Sequence, residues 1–516
     1  MSFTIEQKVN GHIYLYEVTS YWDKVKKQPR QRRVYKGPKH KIYKQKVIEN
    51  ASDIIVKNFG NIYLLDYLSR SLGLTELLRT VFPQSYKEIL ALSYYDITEG
   101  SPYYLFNYFQ SESYFPGLSL MSSQETSKLC ELIGKSQRQR MEFIKRWISH
   151  LQPLKGLYYD ITSVSSYSTQ IEFIEWGYNR DNENLSQQNI GLICCKETSQ
   201  PLFYNITSGS IVDVSTLKNC LSYLKIFKIS DVEFILDKGF FSKSNVLEMN
   251  SKDACIKFIM PLPNRLKKVK QLLAKHGDKL SDPSNAFEYN EEILYHISET
   301  ITFDKDQFDV HIYMNEKLGI EQKHNFLKDI IKIENSFKTK EYKTRKEYLE
   351  YVENEIPKKY IEYFRWNKQT LKIEQHVENI ELYLKKVGSF LLLTNQKKID
   401  MSRILKYYRN KDAIEKLFNI VKNEMDGRRI RSHSTINSDG RLFVKFIALI
   451  IYTKLLTVMR QKKLIKKYTV KELLYELKKL KLTTIEKEKP ILGVISKKQR
   501  LIFEAFDIKP DDLHSY

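Results

Sequence analysis

The stretch from residue 407 to residue 433 constrains this chain most, because it combines a helical period with a dense pattern of charge. Its apolar residues recur at spacings of three and four, which predicts one buried helical face. The residues on that face are Ile414, Leu417, Phe418 and Val421. At about 100° per residue, Lys411, Glu415 and Lys422 lie on one stripe of a helix that can run to Gly427. Taken alone, such a stripe is typical of a solvated flank with ion pairs.

Two apolar runs upstream each carry an aspartate on a predicted strand. Apolar and polar residues alternate through 156–164 (GLYYDITSV), as in a strand with two faces, and Asp160 lies at its centre. In residues 232–240 (VEFILDKGF), a buried strand is predicted to stop at Asp237, before a glycine that allows a turn. Together with Glu415, these aspartates supply the three carboxylates that a two-metal phosphoryl-transfer site requires.

The two aspartates and the spacing Tyr408-x2-Lys411-x3-Glu415-x6-Lys422 resemble the DDE transposases of bacterial insertion sequences. The similarity is to the subgroup with a Tyr-Arg-Glu-Lys (YREK) signature, and one position departs from it, since Lys411 stands where arginine is usual. Lysine keeps the positive charge but lacks the planar guanidinium that binds phosphate through two parallel hydrogen bonds. The similarity extends over most of the chain, through SYWDKVKKQPRQRRVYKG, WGYNRDNENLSQQNIGL and ISKKQRLIFEAFDIKP.

The resemblance implies a transposase that cleaves DNA and transfers DNA strands with the help of two Mg²⁺ ions, for which Mn²⁺ can substitute. The implied catalytic residues and metal ligands are Asp160, Asp237 and Glu415. The implied DNA contacts near the site are Tyr408, Lys411, Lys422 and Arg180. The protein would bind the terminal inverted repeats of an insertion sequence as a homodimer. It would then move that DNA into a target by cut-and-paste transposition.

The order of the predicted elements favours an α/β fold with a ribonuclease H-like core. Three strands, a helix and a further strand follow one another from residue 154 onwards, which is the order of that fold. A last core strand at 389–395 (SFLLLTN) would precede the Glu415 helix. The resemblance also implies a strand-rich insertion that interrupts the core. The predicted regions are a basic β-rich DNA-binding segment at 1–57, a helical domain at 58–153, the core at 154–261 and 388–456, the insertion domain at 262–387, and a helical C-terminal region at 457–516.

Positive charge points to a polyanionic partner. The formal net charge is +22, and eleven Lys or Arg residues with no acidic residue occupy 24–46. Like charges at this density repel unless a polyanion neutralises them, which favours contacts to the DNA backbone. The candidate contacts are Arg30, Arg32 and Arg33 in this tract and Arg428, Arg429 and Arg431 in a second cluster. The alternative is a solvated basic hairpin, with part of the lysine excess due to an AT-rich genome.

The composition excludes several other classes of protein. The apolar run 446–452 lies between Lys445 and Lys454 and is far shorter than the roughly 20 residues of a membrane span, so no membrane association is expected. The amino terminus lacks the pattern of a signal peptide. The five cysteines form no CxxC pair, which argues against structural zinc and a disulfide framework. We expect a reduced cytoplasmic compartment, near the nucleoid of a bacterium or archaeon.

Two alternative functions share some of these features. Another ribonuclease H-like nuclease, such as a junction resolvase, would have the acidic triad without needing the Tyr-x2-Lys-x3-Glu-x6-Lys spacing. A non-catalytic DNA-binding protein derived from a transposase would keep the basic tracts and tend to lose carboxylates. All three carboxylates are present in this chain.

Overall fold

The computed structural model of the chain describes residues 2–9, 12–24, 26–38, 54–251, 254, 256–340, 344–367, 372–485 and 489–514. The basic tract predicted at 24–46 is therefore described in part. Its lysines beyond residue 38 lie outside the described residues.

The described residues form both strands and helices throughout the chain. The strands are β1 (Ser2–Val9), β2 (His12–Asp23), β3 (Gln28–Pro38), β4 (Ile54–Asn58), β5 (Gly156–Ser165), β6 (Gln187–Cys195), β7 (Pro201–Ser208), β8 (Glu233–Ile235), β9 (Lys257–Pro261), β10 (Ala286–Tyr289), β11 (Glu292–Phe303), β12 (Asp306–Met314), β13 (Phe364–Asn367), β14 (Lys372–Gln375), β15 (Ser389–Thr394), β16 (Lys481–Ile485) and β17 (Ile491–Leu492). The α-helices are α1 (Gly60–Ser71), α2 (Leu74–Val81), α3 (Tyr86–Thr98), α4 (Phe106–Glu112), α5 (Ser123–Lys135), α6 (Gln137–His150), α7 (Asp213–Ile226), α8 (Lys243–Asn250), α9 (Lys267–Leu280), α10 (Glu316–Lys338), α11 (Arg345–Glu355), α12 (Val377–Leu384), α13 (Met401–Arg409), α14 (Asp412–Asn419), α15 (Thr435–Gln461), α16 (Val470–Lys478), α17 (Lys497–Ala505) and α18 (Pro510–His514).

A large central sheet dominates the fold. Its strand order is β10-β11-β12-β15-β9-β8-β5-β6-β7. Strand β5 pairs antiparallel with β6 and parallel with β8, and β8 pairs parallel with β9. Strands β6 and β8 are buried on both faces, as is typical of a sheet that is covered by helices on both sides. This mixed architecture confirms the predicted α/β class.

Strands β1, β2 and β3 form a separate antiparallel sheet near the amino terminus. Arg32 pairs with Thr19 and Arg33 with Val18, so the two arginines lie on opposite faces of the sheet. Arg30 lies on the same face as Arg32. Among the described residues, neither hydrophobic core includes a side chain from this sheet.

Strands from residues 262–387, the predicted insertion domain, take part in the central sheet. Strand β12 pairs antiparallel with β15 and thereby joins β10 and β11 to the central sheet. The physical reason is that β15 is buried and apolar, so its backbone groups need partners on both edges, which β9 and β12 provide. A second hydrophobic core lies within 326–380, and that part of the chain is mainly helical.

A small sheet joins a strand before the predicted helical domain to the C-terminal region. Strand β4 pairs antiparallel with β16, which belongs to the region predicted as a helical C-terminal tail. The backbone N–H groups of Phe59 and Gly60 both donate to the carbonyl oxygen of Leu480, at 3.0 and 3.2 Å. The helical domain therefore begins on a strand that the C-terminal region holds in place.

Helix α15 extends beyond the apolar run 446–452 in both directions. By length and composition it could cross a membrane, because the apolar stretch extends well beyond residues 446–452. Instead, 67% of its most apolar 18-residue window is buried inside the protein, and the helix packs against α3 and α5. Such burial is typical of a core helix.

A buried ion pair joins α15 to α3 behind the Glu415 region. Asp96 is fully buried, and the Nζ atom of Lys445 lies 2.9 Å from its Oδ1 atom. The hydroxyl of Tyr103 donates to the Oδ2 atom of Asp96 at 2.7 Å. Burial raises the pKa of Asp96, whereas the Lys445 ammonium lowers it. The same ammonium donates to the carbonyl oxygen of Met425, so the pair also holds the segment that follows α14.

We predict that Lys445→Met destabilises the protein by about 3 to 5 kcal/mol, because it leaves the Asp96 charge buried without its partner. Lys462→Met is a matched control, since Lys462 forms an exposed pair with Asp507 at 3.4 Å, and it should cost less than about 1 kcal/mol. Urea unfolding of both variants measures the difference. Equal losses in the two variants would contradict the assigned role of the buried pair.

Candidate active site

The parallel pairing of β5 with β8 brings two aspartates together at one end of the central sheet. Tyr158 on β5 lies opposite Ile235, the last residue of β8. Asp160 and Asp237 each follow this pair by two residues, so the register places them at the same level. The backbone N–H of Lys238 donates to the Asp237 carboxylate at 2.8 Å and fixes its orientation.

The third carboxylate, Glu415, lies on α14, which packs against β5. The prediction of one continuous helix to Gly427 is wrong. Between α13 and α14 the Lys411 N–H donates to the carbonyl oxygen of Tyr408 at 3.1 Å, a bond to the third residue back that tightens the turn and separates the two helices. The residues that α14 buries are Ile414, Leu417 and Phe418, as the apolar period predicted.

The ammonium of Lys411 lies between the three carboxylates. Its Nζ atom is 3.2 Å from Glu415 Oε1, 3.7 Å from Asp160 Oδ2 and 3.9 Å from Asp237 Oδ2. The Lys411 side chain is only 8% exposed, whereas that of Glu415 is 62% exposed. One buried cation is therefore shared by acidic groups from a strand, a loop and a helix.

The electrostatics of this cluster follow from burial and from mutual charge. Burial raises the pKa of Asp160 to about 6, which the Lys411 ammonium and the N–H of Ile161 oppose and the other two carboxylates reinforce. Burial lowers the pKa of Lys411, but the three surrounding carboxylates outweigh it, so the pKa is raised overall. Lys411 therefore stays charged, and it makes the close approach of the carboxylates possible.

The donor chemistry of the cluster fits a hard divalent ion, because Mg²⁺ and Mn²⁺ prefer carboxylate oxygen. The Lys411 ammonium marks a position to which all three carboxylates attract a cation. Within the described part of the chain, no three acidic, histidine or cysteine side chains lie close enough to form a complete metal site as they stand. Mg²⁺ binds oxygen at about 2.1 Å. The carboxylates would therefore have to approach a common ion more closely than they approach Lys411.

Tyr408 lies beside the acidic cluster and precedes Lys411 by three residues. Burial raises the pKa of its phenol to about 12, and the negative charges of the three carboxylates add to this effect. The hydroxyl is therefore protonated at neutral pH and can donate a hydrogen bond. A neutral donor next to the carboxylates can bind an anionic oxygen without adding negative charge.

Lys422 lies beyond the end of α14, in a turn of a different helical type. Helix α14 ends at Asn419, and a π-helical turn follows over Ile420–Glu424. The longer turn changes the angular position of every later side chain. The Nζ atom of Lys422 lies 2.6 Å from Asp181 Oδ2, and the lysine is 9% exposed. Lys422 is thus paired with the loop between β5 and β6.

Several of the other predicted DNA contacts are paired within the protein. Arg180 forms an ion pair with Asp213 and donates to the hydroxyl of Ser163 at 3.1 Å. The remaining ion pairs are Arg429 with Glu183 at 3.3 Å, Arg431 with Asp426 at 2.8 Å, and Arg30 with Asp23 at 3.3 Å. Arg30 and Arg431 are exposed although they are paired, and Arg32, Arg33 and Arg428 are exposed as well.

The carboxylates of Asp181, Glu183, Asp213 and Asp426 are the functional neighbours that the sequence analysis missed. Each neutralises a predicted DNA contact around the acidic cluster. The tract Arg180-Asp181 with Glu183 shows alternating charge in the sequence. That alternation indicates ion pairing, but the partners come from distant elements and cannot be read from spacing.

The fold and the site define a mixed α/β protein with three carboxylates gathered at one end of a large central sheet. A family model described as a transposase DDE domain matches residues 152–451, which include all three carboxylates. This match covers more than half of the chain, and the chain belongs to the transposase DDE domain family. The family generally uses divalent metal ions.

The chain is similar to the piggyBac transposase in a cryo-electron microscopy structure of its synaptic complex with hairpin DNA, with a TM-score of 0.36 and 10% sequence identity. The similarity covers 81% of this chain and 70% of that chain. This TM-score is too low to show a common fold. Membership of the transposase DDE domain family is shown by the family model. No curated protein matches the sequence.

We predict that Asp160→Asn stabilises the protein at pH 7.5 in EDTA by roughly 1 to 3 kcal/mol, since each tenfold change in proton affinity is worth about 1.4 kcal/mol. Asp160 holds its proton up to about pH 6 when folded, against an ordinary carboxyl pKa of 3.8. The folded state binds more protons between these values, so the charge on Asp160 costs stability as the pH rises through that window. The gain should therefore vanish near pH 4.

Thermal unfolding of the two proteins at both pH values measures this gain. Asp412→Asn is the control, because Asp412 is exposed on α14 and paired with Lys416 at 2.7 Å. A gain of equal size at pH 4 and pH 7.5 would contradict the assignment of the cost to the buried charge of Asp160.

Proposed function

We propose that the protein is a DNA transposase that uses divalent metal ions bound by Asp160, Asp237 and Glu415 to cleave DNA and transfer DNA strands. One observation carries this proposal. The three carboxylates converge on a single cation position, inside the residues that match the transposase family. The paired register of β5 and β8 and the packing of α14 on β5 provide a rigid frame for such a site.

We further propose that the central part of the sheet is a ribonuclease H-like core. Strands β5, β6 and β7 are antiparallel neighbours, helix α7 follows, β8 then pairs parallel to β5, and β9 pairs parallel to β8. This topology supports the proposal because it extends the element order on which the sequence prediction was based. In it, Asp160 lies on β5 and Asp237 lies just beyond the end of the adjacent strand β8.

The residues of the site have separate roles in this proposal. Bound Mg²⁺, or Mn²⁺ in its place, would activate water or a 3′ hydroxyl and neutralise the leaving oxygen at phosphorus. Asp160 and Asp237 hold fixed positions on the sheet, whereas Glu415 reaches in from an exposed helical surface. Tyr408 donates a hydrogen bond to a phosphate oxygen. Lys422 becomes available to a second phosphate when it separates from Asp181.

The proposed substrate is double-stranded DNA at the terminal inverted repeats, followed by target DNA. The net charge of +22 and the exposed Arg32, Arg33 and Arg428 support backbone contacts. Cut-and-paste movement of one element needs two ends to be held together, so we propose a homodimer on DNA. We also propose a cytoplasmic, nucleoid-associated location, where the DNA is.

The alternative functions are less well supported. A non-catalytic DNA-binding protein has no need for three convergent carboxylates that cost stability at neutral pH. A junction resolvase could use the same acidic cluster. End recognition separates the two nucleases, since a transposase binds the terminal repeats of its own element more tightly than a four-way junction.

We predict that Asp160→Asn, Asp237→Asn and Glu415→Gln each lower cleavage of end-containing DNA by at least about a hundredfold, because each removes a charged metal ligand at nearly constant shape. Asp412→Asn on the same helix as Glu415 should retain cleavage. Mg²⁺-dependent nicking of a labelled end duplex is the measurement, with a gel-shift assay in EDTA to confirm that the variants still bind DNA. A triad variant that still nicks at the parental rate would not be a ligand.

Another prediction concerns the amino-terminal sheet. Replacing Arg30, Arg32 and Arg33 by Gln should flatten the log-log salt dependence of DNA affinity by about one to three units of slope, because each lost phosphate contact contributes about 0.9. The control replaces Lys317, Lys323 and Lys328 by Gln, since these lysines are exposed on α10. Fluorescence anisotropy between 50 and 300 mM salt, roughly the range over which such contacts weaken, measures both slopes. Identical slopes in the two variants would mean that the three arginines are solvated and do not contact DNA phosphates.

A further inference from the structure

The surroundings of Lys411 do not fit the DNA contact that its place in the sequence motif suggests. A lysine that contacts a DNA phosphate should have its ammonium exposed to solvent before the DNA binds. Instead, the Lys411 side chain is 92% covered, and its ammonium lies within 4 Å of one oxygen from each of three carboxylates. Those three residues are the proposed metal ligands. The ammonium therefore occupies the position at which a metal ion shared by the three would be bound.

The geometry does not allow both cations at once. The ammonium lies 3.2 to 3.9 Å from the three oxygens, so they are spread around a group larger than a bare metal ion. A Mg²⁺ ion requires oxygens at about 2.1 Å. An ammonium left between the carboxylates would also lie within a few ångströms of a doubly charged ion, where the repulsion in a partly buried site is severe. The triad can close on a metal only when the ammonium leaves.

The chain offers a direct internal comparison. Lys416 is four residues from Asp412 on α14, and their charged atoms are 2.7 Å apart. Both side chains are more than half exposed, so this is an ordinary surface pair of small energy. Lys411 has the same spacing to Glu415, but it is buried, and its ammonium also lies within 4 Å of the Asp160 and Asp237 carboxylates. The difference between the two lysines is the feature that requires an explanation.

We propose that Lys411 is a built-in counter-ion that occupies the metal position and competes with the divalent ion for the acidic triad. The lysine holds the three carboxylates together without a metal and is displaced when the metal binds. This inference rests on the proposed function, because it takes the triad to be the metal site. It makes Lys411 a positioning residue that sets the metal concentration at which the site becomes active.

The competition predicts an effect opposite to that of damage to the fold. Lys411→Met keeps most of the apolar stem and removes the charge, so it should tighten Mn²⁺ binding by about ten- to a hundredfold, the usual size of coupling between two ligands. Lys411→Arg keeps a competing charge and should not tighten binding. Lys416→Met is the matched control and should bind Mn²⁺ like the parent. A merely structural lysine would give weaker binding when it is removed.

The experiment is a titration of the full chain with Mn²⁺ after EDTA has been used to remove bound metal. Isothermal calorimetry and electron paramagnetic resonance of free Mn²⁺ measure the binding. Tighter binding in Lys411→Met alone supports the proposal, and equal or weaker binding overturns it. If Lys411→Met fails to fold, Lys411→Gln is titrated in its place and judged by the same criterion. Glu415→Gln separates this inference from the proposed function. If the parent and Glu415→Gln bind Mn²⁺ equally, the triad is not the metal site, and both proposals fail.

Discussion

Three carboxylates repel one another, and the site exists because a cation lies between them. The cation in this structure is the Lys411 ammonium, which is within 4 Å of Asp160, Asp237 and Glu415. The fold provides the rest of the constraint, since the parallel pairing of β5 with β8 fixes the two aspartates and the packing of α14 on β5 brings up the glutamate. Burial raises the pKa of Asp160 to about 6, so without an adjacent cation the cluster would gain protons.

The same principle of internal neutralisation extends around the site. Lys422 and Arg180 are paired with Asp181 and Asp213, and further arginines are paired with Glu183 and Asp426. A large positive charge therefore does not mean that every basic side chain is free for DNA. Phosphate oxygens can replace carboxylates as partners of these cations, because both bind guanidinium and ammonium groups in the same way. DNA binding would then exchange one set of ion pairs for another.

Local patterns in the sequence predicted the parts of the site that depend on local structure. Alternation around Asp160, the apolar run before Asp237 and the helical period around Glu415 all correspond to observed elements. The position of Lys411 could not be predicted, because it depends on a tight turn between α13 and α14 and on the three-dimensional register of the sheet. The π turn that contains Lys422 is equally invisible to a fixed period of 3.6 residues. The extent of the central sheet was missed because pairing of β12 with β15 joins residues that are about 80 positions apart, a separation at which pattern gives no pairing information.

The central claim is that the three carboxylates form one divalent metal site from which Lys411 withdraws. Anomalous diffraction from crystals of the full chain grown with Mn²⁺ tests it most directly. We expect an anomalous peak at about 2.1 to 2.4 Å from oxygens of Asp160, Asp237 and Glu415, with the Lys411 ammonium displaced from its position between them. A peak elsewhere, or an ammonium that remains between the three carboxylates in the presence of saturating Mn²⁺, would contradict it.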